Sequence, residues 1–179
     1  MRKTAYFVLA CAGVFVLAAG FQACKNVSIE ELKQSMQLVD IETKWVSKFY
    51  QPWPPRLILV PAVSFRVKNT SSKPLTYINF NAIFGFKGEA ENLGDNFLAA
   101  IRGKAVAPGE TSDIIALKSN FGVEGRTVKS IEENPMWKPV TVKIFARSKG
   151  SQFVLLGEYD VSRTIDFKEP EPVEVKPNE

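Results

Sequence analysis

Val63-Ser64-Phe65-Arg66-Val67-Lys68-Asn69-Thr70-Ser71-Ser72-Lys73-Pro74 is the stretch whose reading decides the fold. Apolar Val63, Phe65 and Val67 alternate with polar Ser64, Arg66 and Lys68, the two-residue period of a strand with one face in a core. Asn69 to Pro74 then collects turn formers, whose short side chains bond the local backbone and whose proline lacks a ladder donor. The alternation reaches back to Leu57 and Leu59. It resumes beyond the turn, where Ile78, Phe80, Ala82, Phe84 and Phe86 share a face opposite Asn79 and Asn81. Strand, short polar turn and strand, with no helical period between them, is an antiparallel signature.

Further strands follow outward from this pair. Val39, Ile41, Thr43, Trp45 and Phe49 alternate with Asp40, Glu42, Lys44 and Lys48, and are expected to face inward. Asn96 to Ala107 is a weaker strand, ended by the turn Ala107-Pro108-Gly109-Glu110. Ser112 to Lys118 is apolar on both faces at Ile114, Ile115, Ala116 and Leu117, which predicts a buried central strand. Val140, Val142, Ile144 and Ala146 form another. Through Ser148-Lys149-Gly150-Ser151 it joins a last strand in which Phe153, Leu155, Tyr159, Val161 and Ile165 are expected to face in. The excursion Asn120 to Pro139 holds a short helix, with Thr127 as N-cap and Pro135 beyond its end. About seven strands without βαβ alternation predict an all-β fold, an antiparallel sandwich over residues 39–167. Residues 168–179, with Pro170, Pro172 and Pro177 among Glu169, Glu171 and Glu174, read as a disordered acidic tail.

The stretch Val63 to Leu75, followed by Pro108-Gly109-Glu110-Thr111, resembles the bacterial FxLYD and LEA-type Ig-like domains over roughly Val39 to Ile165. The Phe-x-Leu-Tyr-Asp signature itself is missing, and Asn81-Ala82-Ile83-Phe84 keeps only its aromatic. The resemblance implies an Ig-like, extracytoplasmic binding or structural module, and it carries no catalytic residues.

At the N-terminus, Arg2 and Lys3 precede an uncharged run from Ala5 to Phe21, ending in Phe21-Gln22-Ala23-Cys24-Lys25. A basic start, an apolar run and a small residue before a cysteine make a secretory signal over residues 1–23. It resembles the signal peptide of bacterial lipoproteins, in which the cysteine becomes the first mature residue and carries the lipid. Phe21 and Gln22 stand where that family has a leucine and a small residue. Cleavage near Ala19-Gly20 without lipid, or an uncut anchor, are the rival readings. The resemblance implies acylation at Cys24 and a membrane contact through that lipid. It also implies a place in the bacterial envelope facing the periplasm, with Lys25 favouring the outer membrane. Residues 24–38 would then be a tether, or a short helix capped by Ser28 and Glu31 with Ile29, Leu32 and Met36 at helical spacing.

Composition narrows the chemistry. Without residues 1–23 the chain keeps 21 basic and 19 acidic residues, with no like-charged block of the kind nucleic-acid binding needs. It has no histidine, and its cysteines are Cys11 and Cys24. The commonest general base and metal ligand are therefore missing, as is any disulfide within the domain. No cofactor, no metal and no enzymatic activity are expected. The adjacent Glu132 and Glu133 and the isolated Asp113 read as solvated, and Glu89, Glu91 and Asp95 do not match a calcium loop.

Two segments could bind a protein partner. Phe49-Tyr50-Gln51-Pro52-Trp53-Pro54-Pro55 displays Tyr50 and Trp53 on stiff backbone, and Met136-Trp137 offers a second pair. Equally, these rings could close the ends of the sandwich. The function expected is a non-enzymatic, lipid-anchored protein that binds or positions another envelope component. The alternative is a carrier of apolar ligands, in which Phe65, Phe80, Phe84, Phe86, Phe145 and Phe153 line a cavity.

Overall fold

The structure, a computed structural model, describes residues 28–170. It is an all-β sandwich: a short helix α1 (Ile29–Gln34), then strands β1 (Met36–Gln51), β2 (Arg56–Asn69), β3 (Ile78–Phe86), β4 (Asn92–Ile101), β5 (Ile115–Lys118) and β6 (Val123–Gly125). Helix α2 (Val128–Glu132) precedes β7 (Val140–Arg147), β8 (Val154–Asp160) and β9 (Ile165–Asp166). One sheet runs β5-β2-β1-β9, with β6 also on β2; the other runs β4-β3-β7-β8. Pairing is antiparallel except between β1 and β9, where Trp45 and Ile165 align in parallel. Among the described residues no helix is long and apolar enough to cross a membrane. The signal sequence, Cys24 and residues 171–179 lie outside the described residues.

The core forms where the two alternating faces meet. Phe65 of β2 packs edge-on against Phe80 of β3, centroids 5.3 Å apart, and both are fully buried. Val63, Val67, Phe84, Val142 and Ile144 extend this layer. The turn after β2 is held by Asn69, whose buried amide makes four hydrogen bonds. Nδ2 donates to the carbonyls of Lys73 and Val106 at 2.8 Å each; Oδ1 accepts from Ser71 N–H at 2.9 Å and Ser71 Oγ at 2.8 Å. The Asn69 carbonyl accepts from Gly109 N–H, where a φ of 79° lets Ala107-Pro108-Gly109-Glu110 close its turn.

Several strands differ from the sequence expectation, for local reasons. Residues 28–38 hold α1, capped by the Ser28 hydroxyl, and the start of β1 at Met36; Leu32 and Met36 enter the core. Asp40, at φ 52°, marks a bulge in β1, and a second register shift between Ser47 and Phe49 turns Phe49 outward. β5 is an edge strand rather than a central one, so Ile114 just before it is 64% exposed. A bulge opposite Ile144 and Phe145 sets β8 so that Val154 is buried while Phe153 and Leu155 face solvent. The Phe-rich face is therefore divided: Phe65, Phe80, Phe84 and Phe86 are inside, and Phe145 and Phe153 lie on the outer side. Glu169 accepts a hydrogen bond from Val128 N–H at the start of α2, so the start of the expected tail packs on the domain, just after Phe167, which lies tilted against Tyr50.

Candidate functional site

The two ends of the sandwich present different surfaces. The β1 and β2 ladder runs from Met36 opposite Asn69 to Gln51 opposite Arg56. The fourteen residues of β2 span this ladder in thirteen steps of about 3.3 Å, the two extra residues of β1 being taken up in bulges, so the β1–β2 tip lies at most about 43 Å from α1.

At the tip, Gln51 Nε2 donates to the carbonyls of Trp53 and Pro54, which ties the turn to the strand end. Trp53 is 85% exposed. Met136 is also exposed, on the segment after α2, where Asn134 Oδ1 accepts from Met136 N–H and Asn134 Nδ2 donates to the Glu124 carbonyl. Arg56 clasps both carboxylate oxygens of Glu124, donating from Nε at 2.8 Å and from Nη2 at 3.0 Å. The pair lies in solvent, and this bond holds the Glu124 carboxyl below the usual carboxylate range.

The other two expected contact residues are placed differently. Trp137 is 9% exposed, tilted against Trp45 with centroids 4.3 Å apart and capped by Arg163. It closes the end of the core rather than meeting a partner, because its apolar area is more stable between the sheets than in water. Tyr50 is half-buried and stacks on Phe167 at 5.2 Å. Of the four, Trp53 and Met136 are displayed. Asp113 stands 3.8 Å from Lys104 with both exposed; Glu89 pairs with Lys138, and Glu133 with Lys129 across one helical turn.

Sequence reasoning missed a second surface, on the outer face of the β4-β3-β7-β8 sheet. One row across this face reads Phe97, Asn81, Phe145, Leu155. Phe97 and Phe153 meet edge to face at 6.3 Å, and the Arg147 guanidinium sits 5.5 Å from one ring centroid and 4.7 Å from the other. Phe97 is 48% exposed, Leu155 41% and Phe153 38%. Asn81 Oδ1 lies buried on this sheet with no hydrogen-bond partner among the described residues. Toward the α1 end the face continues into an open cleft of about 540 Å³ lined by Tyr77, Arg102, Arg147, Ser148 and Lys149. None of its three cations meets a carboxylate among the described residues. The signal for this surface was the bulge in β8, and bulges leave no mark in a two-residue pattern.

No family model matches the chain, and no curated protein matches it. Among solved structures it is similar to the putative ApaA protein of Bordetella pertussis, at 16% identity and a TM-score of 0.39, over 72% of this chain and 93% of that one. It is similar to the structural-genomics target SoR45 at 8% identity and a TM-score of 0.43, over 83% and 97%. A protein of Archaeoglobus fulgidus matches at 12% identity and a TM-score of 0.37, over 70% and 98%.

Proposed function

We propose that this chain is a non-catalytic envelope protein, held at a membrane by a lipid on Cys24, whose sandwich binds another envelope component through its far end. The observation that carries the reading is Trp53, 85% exposed at the tip of a long hairpin. A large aromatic ring left in water on a backbone pinned by Gln51 loses little freedom when a partner covers it. Met136, exposed at the same end, adds an adaptable apolar neighbour. The lipoprotein-like signal and the absence of histidine support the anchored, non-enzymatic part of the reading. Lys25 favours the outer membrane, facing the periplasm.

The test is photocrosslinking in the native host, with benzoylphenylalanine placed at Trp53, at Met136 and, as a control, at Glu158 on the outer sheet face. A discrete protein adduct from positions 53 and 136 and none from 158 is expected. Equal labelling from all three positions, or none from 53 and 136, overturns the assignment of this end. Intact mass of the mature chain tests the anchor: a triacylated Cys24 is expected, and a chain that starts upstream of Cys24 without lipid overturns it.

A further inference from the structure

We infer that the α1 end of the sandwich rests on an anionic lipid surface, with Arg102, Arg147 and Lys149 among the headgroups and Phe97 and Phe153 at their edge. The inference rests on the anchor proposed above and deepens it. If Cys24 carries the lipid, four residue steps separate it from Ser28, which span at most about 14 Å. That short tether enters at α1, and α1 sits at the same end as the cationic cleft. The Thr70 hydroxyl donates to the Gln34 carbonyl, binding α1 to the β2–β3 turn, and Ser148 borders both the α1 cleft and the cationic one. The chain is therefore attached beside the part of its surface best suited to a charged bilayer.

Composition of the surface favours lipid over water. Three cations without carboxylate partners among the described residues line the cleft, where anionic headgroups would meet them; Tyr77 beside them carries the apolar body and polar end of an interfacial aromatic, and the apolar Phe97 and Phe153 adjoin. Phe97 and Phe153 are already braced by Arg147, so the rings need little reordering to lie against headgroups. The opposing charges are few. Glu30 and Glu31 border the α1 cleft together with Lys73, and Asp113 lies beside Lys104. Docked this way, the sandwich stands upright and carries Trp53 about 40 Å from the bilayer.

The experiment uses the mature acylated protein in vesicles. Processing removes Cys11 and acylation blocks Cys24, so Gln152→Cys supplies a single thiol for an environment-sensitive dye beside Phe153. Glu133→Cys supplies a control at the far end. On phosphatidylglycerol-rich vesicles the dye at position 152 is expected to shift to the blue relative to phosphatidylcholine, while the dye at 133 does not respond. Replacing Arg102 and Arg147 by alanine is expected to lower the docked-to-free ratio about 30-fold, at roughly fivefold per basic residue. Raised salt is expected to act in the same direction. A dye at 152 that ignores lipid charge in acylated protein overturns the docking alone. Intact mass of the same sample reads the anchor separately, and a free Cys24 thiol overturns the anchor on which the docking rests.

Discussion

Replacing Asn69 by alanine is expected to destabilise the domain by about 3 kcal/mol. Asn69 is fully buried and makes four side-chain hydrogen bonds. Two of these are recoverable in part: the Ser71 hydroxyl can turn its single proton to the Lys73 carbonyl 2.8 Å away, and the Val106 carbonyl also accepts from Leu75 N–H. That leaves the equivalent of about two bonds lost outright, at roughly 1 kcal/mol each, plus about 1 kcal/mol for a Ser71 N–H left without its acceptor. At this chain length, 3 kcal/mol corresponds to a fall in Tm of about 10 °C. Thermal and urea unfolding followed by circular dichroism measure it, with an unchanged urea slope expected if the native sandwich persists. Asn69→Asp separates bonding from volume. It keeps the acceptors for Ser71 but sets a carboxylate against the Lys73 and Val106 carbonyls. Its folded-state pKa is then raised, so this variant gains stability as pH falls through that value, the reverse of an ion-paired acid. A loss below about 1 kcal/mol for Asn69→Ala, or an Asp variant insensitive to pH, refutes the assignment of the turn to this amide.

Other substitutions test other parts of the structure. Gly122→Ala places a Cβ into the Leu59 carbonyl and 2.8 Å from Val60 Cγ1, so β6 must leave β2; calorimetry should show a loss of more than about 2 kcal/mol. Asn81→Leu removes a buried acceptor that has no partner among the described residues, and denaturant unfolding should show a change between zero and about 1 kcal/mol of stabilisation. Glu124→Gln should lower Tm at neutral pH and converge with the parent chain in acid. The bond to Arg56 lowers the folded-state pKa, so its contribution is present above the unfolded value and lost as pH falls through the folded one; melts across the acid range check this.

The inner pair of strands was readable because both follow one rule over most of their length. β3 alternates without interruption over Ile78 to Phe86 and β2 from Pro61 to Asn69, with a break at Leu59 to Pro61, which are buried in succession; both lie inside their sheets, where one face must be apolar. The α2 cap was equally legible, since the Thr127 hydroxyl accepts from Ser130 N–H within one turn. The candidate surfaces were legible in part. Trp53 stands out in sequence as a tryptophan between prolines, and it is exposed. Trp137 looked similar but is buried, because whether a ring faces solvent depends on what packs over it, here Trp45 and Arg163. Phe153 and Leu155 were misplaced, since a one-residue bulge in β8 reverses every side chain beyond it, and Phe97 went unremarked because β4 alternates only weakly.

Local chemistry in the chain was thus enough to establish an all-β domain, the strands β2 and β3, the turns that follow β2 and β7 and the absence of histidine chemistry, because period, turn propensity and composition are properties of neighbouring residues. Tertiary structure alone decided the partition of aromatics between core and surface and the meeting of Arg147 with Phe97 and Phe153. It also decided the gathering of Arg102 and Lys149 into one cleft at the end where the chain enters. Most of those contacts join residues far apart in sequence, and all are set by bulges and edge positions that no local pattern records.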